Sequence, residues 1–278
     1  MTSRRGSTVV ALGVIFAWYS MARILEIFSG SIPQTAIVAL DVLGALAFAL
    51  VDGTRGYGLR GIVVFAGICV VVGNVVENLG VVTGFPFGHY YFVNLMGPKL
   101  WHVPALLGLA YIGMAYVSWR VAGAIAGPVE FAGARVVVLP LVASAVMTSW
   151  DLAQDPVWAT VLHGWIWRDG GAWFGVPVSN YLGWYGTVLL IYLVFAAYLR
   201  KSGDGGAGSA RAALVFYAVC AAGNVAQVLP RQAVAVVADP TGKLWQVADI
   251  TRASALVSIF LMGGFAAVGW MRQARRVL

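Results

Sequence analysis

Charge is scarce in this chain. Only 10% of its 278 residues are Asp, Glu, Lys or Arg, against 60% hydrophobic, and a soluble domain of this length needs far more charge on its surface. Lysine is scarcer still. Lys99, Lys201 and Lys243 are the whole set, and each falls in a segment read as a loop, so no helical lysine is left to form a Schiff base with retinal. The two cysteines, Cys69 and Cys220, sit inside apolar stretches and read as small core residues rather than a disulfide. The three histidines, His89, His102 and His163, show neither His-x-His nor His-x-x-x-His spacing, so no metal is expected. No P-loop, dinucleotide glycine fingerprint or zinc motif occurs.

What the chain does have is apolar length. Runs near 8–28, 34–51, 59–79, 103–124, 134–151, 181–199, 211–229 and 250–271 predict an all-α integral membrane protein of about eight transmembrane helices, because about 20 apolar residues span a hydrocarbon core of about 30 Å. The whole of 1–278 reads as one polytopic domain of the plasma membrane. The net charge of +7 carries orientation, not a binding patch, and no nucleic-acid partner is expected. With the N-terminus inside, the inner segments hold Arg4, Arg5, Arg55, Arg60, Arg120, Arg135, Arg200, Lys201, Arg211, Arg272, Arg275 and Arg276, while the outer ones hold only Lys99, Arg168, Arg231 and Lys243. That asymmetry predicts both termini in the cytoplasm. The run after Arg4 and Arg5 lacks a cleavage signature and is expected to stay as a first helix. KSGDGGAGSA, 201–210, reads as a flexible linker. Nothing in the sequence speaks to oligomeric state.

Two outer segments, 80–102 and 152–180, are long and crowded with Trp, Tyr, Phe, Gly and Pro. Indole rings favour the headgroup level of a bilayer, so these segments are expected to lie on or dip into the outer interface and line a site. Polar residues gather in the same outer half. Arg23 and Glu26 are three apart, as are Asp249 and Arg252, and both read as ion pairs; Asp41 is expected to pair with a neighbour such as Arg23 or to line a wet gap. Asn224 and Gln227 read as helix-to-helix hydrogen bonds. Asn74, Glu77 and Asn78 share one helix face, and Ser144, Thr148, Asp151 and Asp155 share another. Asp155 before Pro156 also fits a cap on a short helix. Three carboxyls in one apolar layer with few cations repel and desolvate one another. At least one should keep its proton near neutral pH and serve as a donor.

The segments that carry these carboxyls also carry a resemblance. GNVVENLGVVTGFPFGHYYF at 73–92 and GPKLWHVP at 97–104, WDLAQDPVW at 150–158, and WIWRDGGAWFGVPVSNYLGW at 165–184 resemble motifs of the CruF-type carotenoid 1'-hydratases, a group that includes the γ-carotene 1'-hydroxylase and bisanhydrobacterioruberin hydratase families. The likeness covers 73–184; the final third matches only as hydrophobic pattern. It implies hydration of an acyclic end group of a C40 or C50 carotenoid to a tertiary alcohol, without a cofactor, the partners being the carotenoid and the bilayer. On that reading the candidate catalytic residues are Asp151, Asp155 and Glu77, with Asn74 and Asn78. Asp151 and Asp155 are read as the coupled acid, and Glu77 with Asn74 or Asn78 as the holder of the water, though spacing does not decide which carboxyl is acid and which base. The candidate substrate-binding residues are Phe85, Phe87, His89, Tyr90, Trp150, Trp158, Trp173 and Asn180. Two rivals stand beside this reading: a carotenoid cyclase, which makes the same cation but closes it on an internal alkene, and a small-molecule membrane transporter.

Overall fold

A computed structural model describes residues 2–27, 33–127, 135–202, 209–229 and 235–275. Arg231, Arg276 and residues 203–208 of the predicted linker lie outside the described residues. The chain is mostly helical, in the order α1 (Thr2–Ile27), α2 (Gln34–Thr83), α3 (Ala105–Ala126), α4 (Arg135–Asp155), α5 (Val178–Ser202), α6 (Arg211–Ala226), α7 (Val247–Val257) and α8 (Gly263–Ala274). Among the described residues six helical stretches are long and apolar enough to cross a membrane: Gly6–Ile27, Gln34–Thr83, Ala105–Ala126, Val136–Val161, Val178–Ser202 and Val247–Ala274. α6 is apolar but shorter.

The boundaries depart from expectation in instructive ways. The segments predicted at 34–51 and 59–79 are one run, α2, interrupted at Gly58, whose backbone (φ 70, ψ 169) is open to glycine and strained for other residues. Asp52 and Gly53, read as loop, are helical and buried. Fifty residues at 1.5 Å each would reach about 75 Å, more than twice a hydrocarbon core. α4 does not stop at 151: it runs to Asp155 and opens into a π-helical turn, Pro156–Val161. A widened turn suits proline, which brings no N–H to an ordinary helical ladder. Asp155 itself has helical backbone (φ −56, ψ −43) and makes no side-chain cap, so the capping role expected of it is not what the structure shows. The helix carries both aspartates inward instead. A second π turn, Ser258–Met262, joins α7 to α8.

α3 is the central post. In its apolar window 78% of residues are buried, against 28% in α1, and it packs against α2, α4, α6 and α8. Gly113 lets α3 approach α2, since a Cβ there would meet Ala45 at 2.7 Å, the small-residue contact that membrane helices favour. The core is aromatic: Phe48 stacks on Phe216 at 4.6 Å, and Trp119 on Tyr192 at 5.5 Å. Cys69 and Cys220 are buried free thiols within it. Outward faces carry exposed Val, Leu, Ile and Phe, as a lipid-facing surface requires.

The two long aromatic segments are tied to each other. β1 (Tyr90–Phe92) pairs antiparallel with β4 (Trp165–Trp167), Tyr90 opposite Trp167 and Phe92 opposite Trp165. Two more small ladders lie in the loops: β2 (Lys99–Leu100) with β3 (Val103–Pro104), and β5 (Val236–Ala238) with β6 (Leu244–Gln246). These strands refine the all-α expectation. Backbone polar groups that leave the helices near a membrane need partners, and strand pairing supplies them.

Candidate active site

Three buried carboxyls meet beneath the tied loops. Glu77 sits near the loop-side end of α2, and Asp151 and Asp155 lie one turn apart on α4; all three are at most 4% exposed. Asn180, near the start of α5, joins the last two: its Nδ2 donates to Asp155 Oδ2 at 2.5 Å and, at longer range, to Asp151 Oδ2 at 3.3 Å. Trp165 Nε1 donates to the other Asp155 oxygen at 2.8 Å. Glu77 accepts from two phenols, Tyr90 at 2.5 Å and Tyr111 at 2.7 Å. Burial, then the adjacent Glu77, pushes the Tyr90 phenol far above its usual range, so it stays protonated and donating. Every one of these donors is neutral. No guanidinium or ammonium is paired with any of the three carboxyls among the described residues.

The carboxyls face two adjoining cavities. The smaller has about 20 Å³ of water-accessible space and is lined by Glu77, Tyr90, Asp155 and Asn180 under a roof of aromatic rings. A single water needs roughly 10–15 Å³ by this measure, together with two to four polar partners. The larger, about 70 Å³ by the same measure, is a mainly apolar cleft in which Asp151 and Asp155 stand beside Leu107, Met114, Met147 and tryptophans 150, 158, 165 and 184. Leu107, Asp155, Trp165 and Trp184 border both. Asp155 therefore faces a one-water space on one side and a greasy slot on the other.

The lining of the slot also holds a different polar group, with Arg23, Asp41 and Gln154. Arg23 donates to Glu26 at 2.8 Å, Asp41 at 3.0 Å and Asn224 Oδ1 at 2.6 Å. Gln154 donates to the same Asn224 oxygen at 2.8 Å and accepts from Trp158 Nε1 at 2.7 Å, and Gln227 reaches Glu26 at 2.8 Å. The expected pairing of Asp41 with Arg23 and the helix-to-helix bonds of Asn224 and Gln227 are present. Gly223 makes room for the guanidinium, since a Cβ there would meet Arg23 Nε at 2.2 Å. The Asp249–Arg252 pair forms at 3.5 Å on the surface.

The other sequence candidates divide. Tyr90 and Asn180 line the small cavity, and Trp150 and Trp158 line the slot. Phe87 is one layer back, edge-on to Tyr90 at 6.1 Å and seated against Gly80 and Gly183. Asn78 bonds to Asn74 and accepts from the His102 backbone N–H at 3.0 Å; it anchors the loop, and neither asparagine lines these cavities. Trp173 bonds to the Leu152 carbonyl at 3.1 Å, outside both. Phe85 is 71% exposed, and His89 faces out beside Asp169 at 2.9 Å. Sequence reasoning passed over Tyr111, Trp165, Trp167, Trp184 and Gln154. Two signals pointed to some of them: a phenol in the apolar α3 needs a partner, and the alternation Trp-Ile-Trp puts Trp165 and Trp167 on one side of a strand.

A family model described as carotenoid biosynthesis protein matches residues 36–239. The matched region contains Glu77, Tyr90, Tyr111, Asp151, Asp155, Trp165 and Asn180. No curated protein and no solved structure matches the chain.

Proposed function

The chain belongs to the carotenoid biosynthesis protein family, and from that premise we propose that it is a cofactor-independent hydratase that adds water across the terminal double bond of an acyclic carotenoid end group. The observation that carries this reading is the division of labour at Asp155: a polar one-water space and an apolar slot share this carboxyl as a wall.

The slot suits the end of a polyene, which is soluble only in the bilayer. Asp151 is the proton donor. It receives a single bond of 3.3 Å from Asn180, whereas Asp155 and Glu77 each accept two shorter ones, and hydrogen bonds to a carboxylate favour its ionised form. Protonation of the less substituted alkene carbon by Asp151 breaks the π bond and leaves a tertiary cation. Faces of Trp150, Trp158, Trp165 and Trp184 are in reach to stabilise it, at roughly 0.5–2 kcal/mol each. The water held between Glu77, Asp155 and Asn180 forms the new C–O bond, and Asp155 takes its proton. One proton leaves the cluster and one returns, so the net change is one water added to the alkene. A proton shift from Asp155 to Asp151 resets the pair.

Cyclisation starts from the same cation but needs an internal alkene at the cationic carbon; a polar one-water space at that point favours capture by water. For the fold, the break at Gly58 supports reading α2 as two crossings and, with α6 as another, eight in all, with both ends of the single domain on the cytoplasmic side of the plasma membrane. Expression in a host that accumulates an acyclic carotenoid tests the reaction. The expected product gains the mass of one water per reacted end. An isomer of unchanged mass would assign a cyclase instead, and unaltered pigment would reject both.

A further inference from the structure

A third cavity lies on the loop face. About 290 Å³ of water-accessible space is bounded by the π turn after α4, by β4 and by the β5–β6 turn, with Thr160, His163, Ile166 and Asp239 in its walls. Asp239 is penned in by donors: Thr241 Oγ1 at 2.5 Å and Trp245 Nε1 at 2.9 Å. Burial raises this carboxyl, but the bonds from Thr241, Trp245 and the Thr241 and Lys243 backbone outweigh it and hold it below the usual carboxylate range. The cleft is thus open and carries a charged carboxylate among mainly apolar lining residues.

One residue lines both this cleft and the small carboxyl cavity: Trp167. Its ring is 4% exposed and packs 4.8 Å from Tyr90, the phenol that holds Glu77. We propose that the cleft is the aqueous inlet of the site, and that Trp167 is the partition across which water passes from the loop face to the Glu77–Asp155 space. This rests on the hydratase reading, in which each turnover consumes one water that the polyene-filled slot cannot supply. A route from the loop face brings water to the side of Asp155 away from the substrate, so the polyene and the water never compete for one entrance. Trp167 is accordingly a positioning residue: it admits water singly while holding Tyr90 against Glu77.

The inlet can be read without any turnover. In a Cys69→Ala, Cys220→Ala background, Leu107→Cys places a thiol between the two inner cavities. A charged, membrane-impermeant thiosulfonate should label it slowly, about tenfold faster once Trp167→Ala is added, and slowly again when Ala238→Trp fills the cleft. Trp167→Phe replaces Trp167→Ala if the latter does not fold. Absence of acceleration, or acceleration that Ala238→Trp leaves intact, overturns the inlet. In carotenoid-producing membranes Ala238→Trp alone should slow hydration several-fold, while the purified variant binds added acyclic carotenoid as the unmodified chain does. Hydration at the unmodified rate overturns the inlet as well. If the unsubstituted chain adds no water to any carotenoid, the hydratase reading fails by itself, and the labelling still decides whether solvent enters past Trp167.

Discussion

Two buried acidic centres of this molecule are built on opposite plans. Near the Gly58 break, Asp52 is matched to Arg120 at 3.1 Å, with Tyr116 donating to Asp52 at 2.8 Å and Arg120 donating to the Tyr116 oxygen and the Ser209 carbonyl at 3.0 Å each. Charge is cancelled on the spot. Beneath the aromatic loops, Glu77, Asp151 and Asp155 have, among the described residues, phenol, indole and amide donors and no cation. A matched pair in a low-dielectric interior has little left to offer a reactant, whereas carboxyls held by neutral groups keep their proton chemistry available. On the proposed reading, the contrast separates a scaffold from a reaction site within one bundle.

The largest expected effect breaks the contrast at its reactive end. Asp151→Asn and Asp155→Asn should each lower hydration by about 10²–10⁴-fold, the usual weight of a general acid or base, with helical content preserved; Glu77→Gln tests whether the third carboxyl is as necessary. Pigment mass spectra of the expressing cells read all three, and near-normal hydration in each would erase the distinction. Next in size is the scaffold end. Arg120→Met leaves Asp52 buried and unpaired and should destabilise the protein by about 3–5 kcal/mol, while the double variant with Asp52→Asn recovers most of the loss. Thermal unfolding in detergent measures this, and hydration per folded molecule should stay unchanged. The smallest effect lies outside both centres, at Asp239. Its folded-state value lies below its unfolded one, so its contribution to the β5–β6 turn is present above the unfolded value and is lost as pH falls through the folded one. Hydrogen exchange over 236–246 should therefore quicken under acid in the native chain, and Asp239→Asn should remove that dependence.

Much of the bundle is legible in hydropathy, because each residue's preference for lipid over water is its own and sums along a local window. That is why the six membrane-length helical stretches fall on runs the sequence marks as apolar, though 34–51 and 59–79 join and α6 falls short of a span, and why both cysteines are buried. A departure falls where a charged residue ends a window: Asp52, just past the run 34–51, is read as loop, yet it is buried in α2 because Arg120 of α3 cancels it. The same physics explains the carboxyl site. Glu77, Asp151 and Asp155 stand out as acids in apolar helices, and the i, i+4 spacing of the two aspartates puts them on one face. Two of their donors do not stand out, because Tyr111 and Trp165 look like ordinary members of apolar or loop segments until the fold brings them into range, whereas Tyr90 and Asn180 lie in the segments that carry the resemblance. Phe85 and His89 show the converse. Both sit in the most recognisable stretch of the chain, and both face outward, because which way a loop residue points is set by the packing of distant segments and not by its own type.

By itself, the sequence determined a helical chain with spans of membrane length, an excess of aromatic side chains in two loops, and three acids in one layer. Only the tertiary structure decided that those acids share neutral donors, that Asp155 stands between a water-sized space and an apolar slot, and that Trp167 separates that space from the loop face. The reason is physical. Hydrophobicity and helical spacing act over neighbouring residues, whereas a cavity and its hydrogen bonds exist only between groups that the chain keeps far apart until it folds.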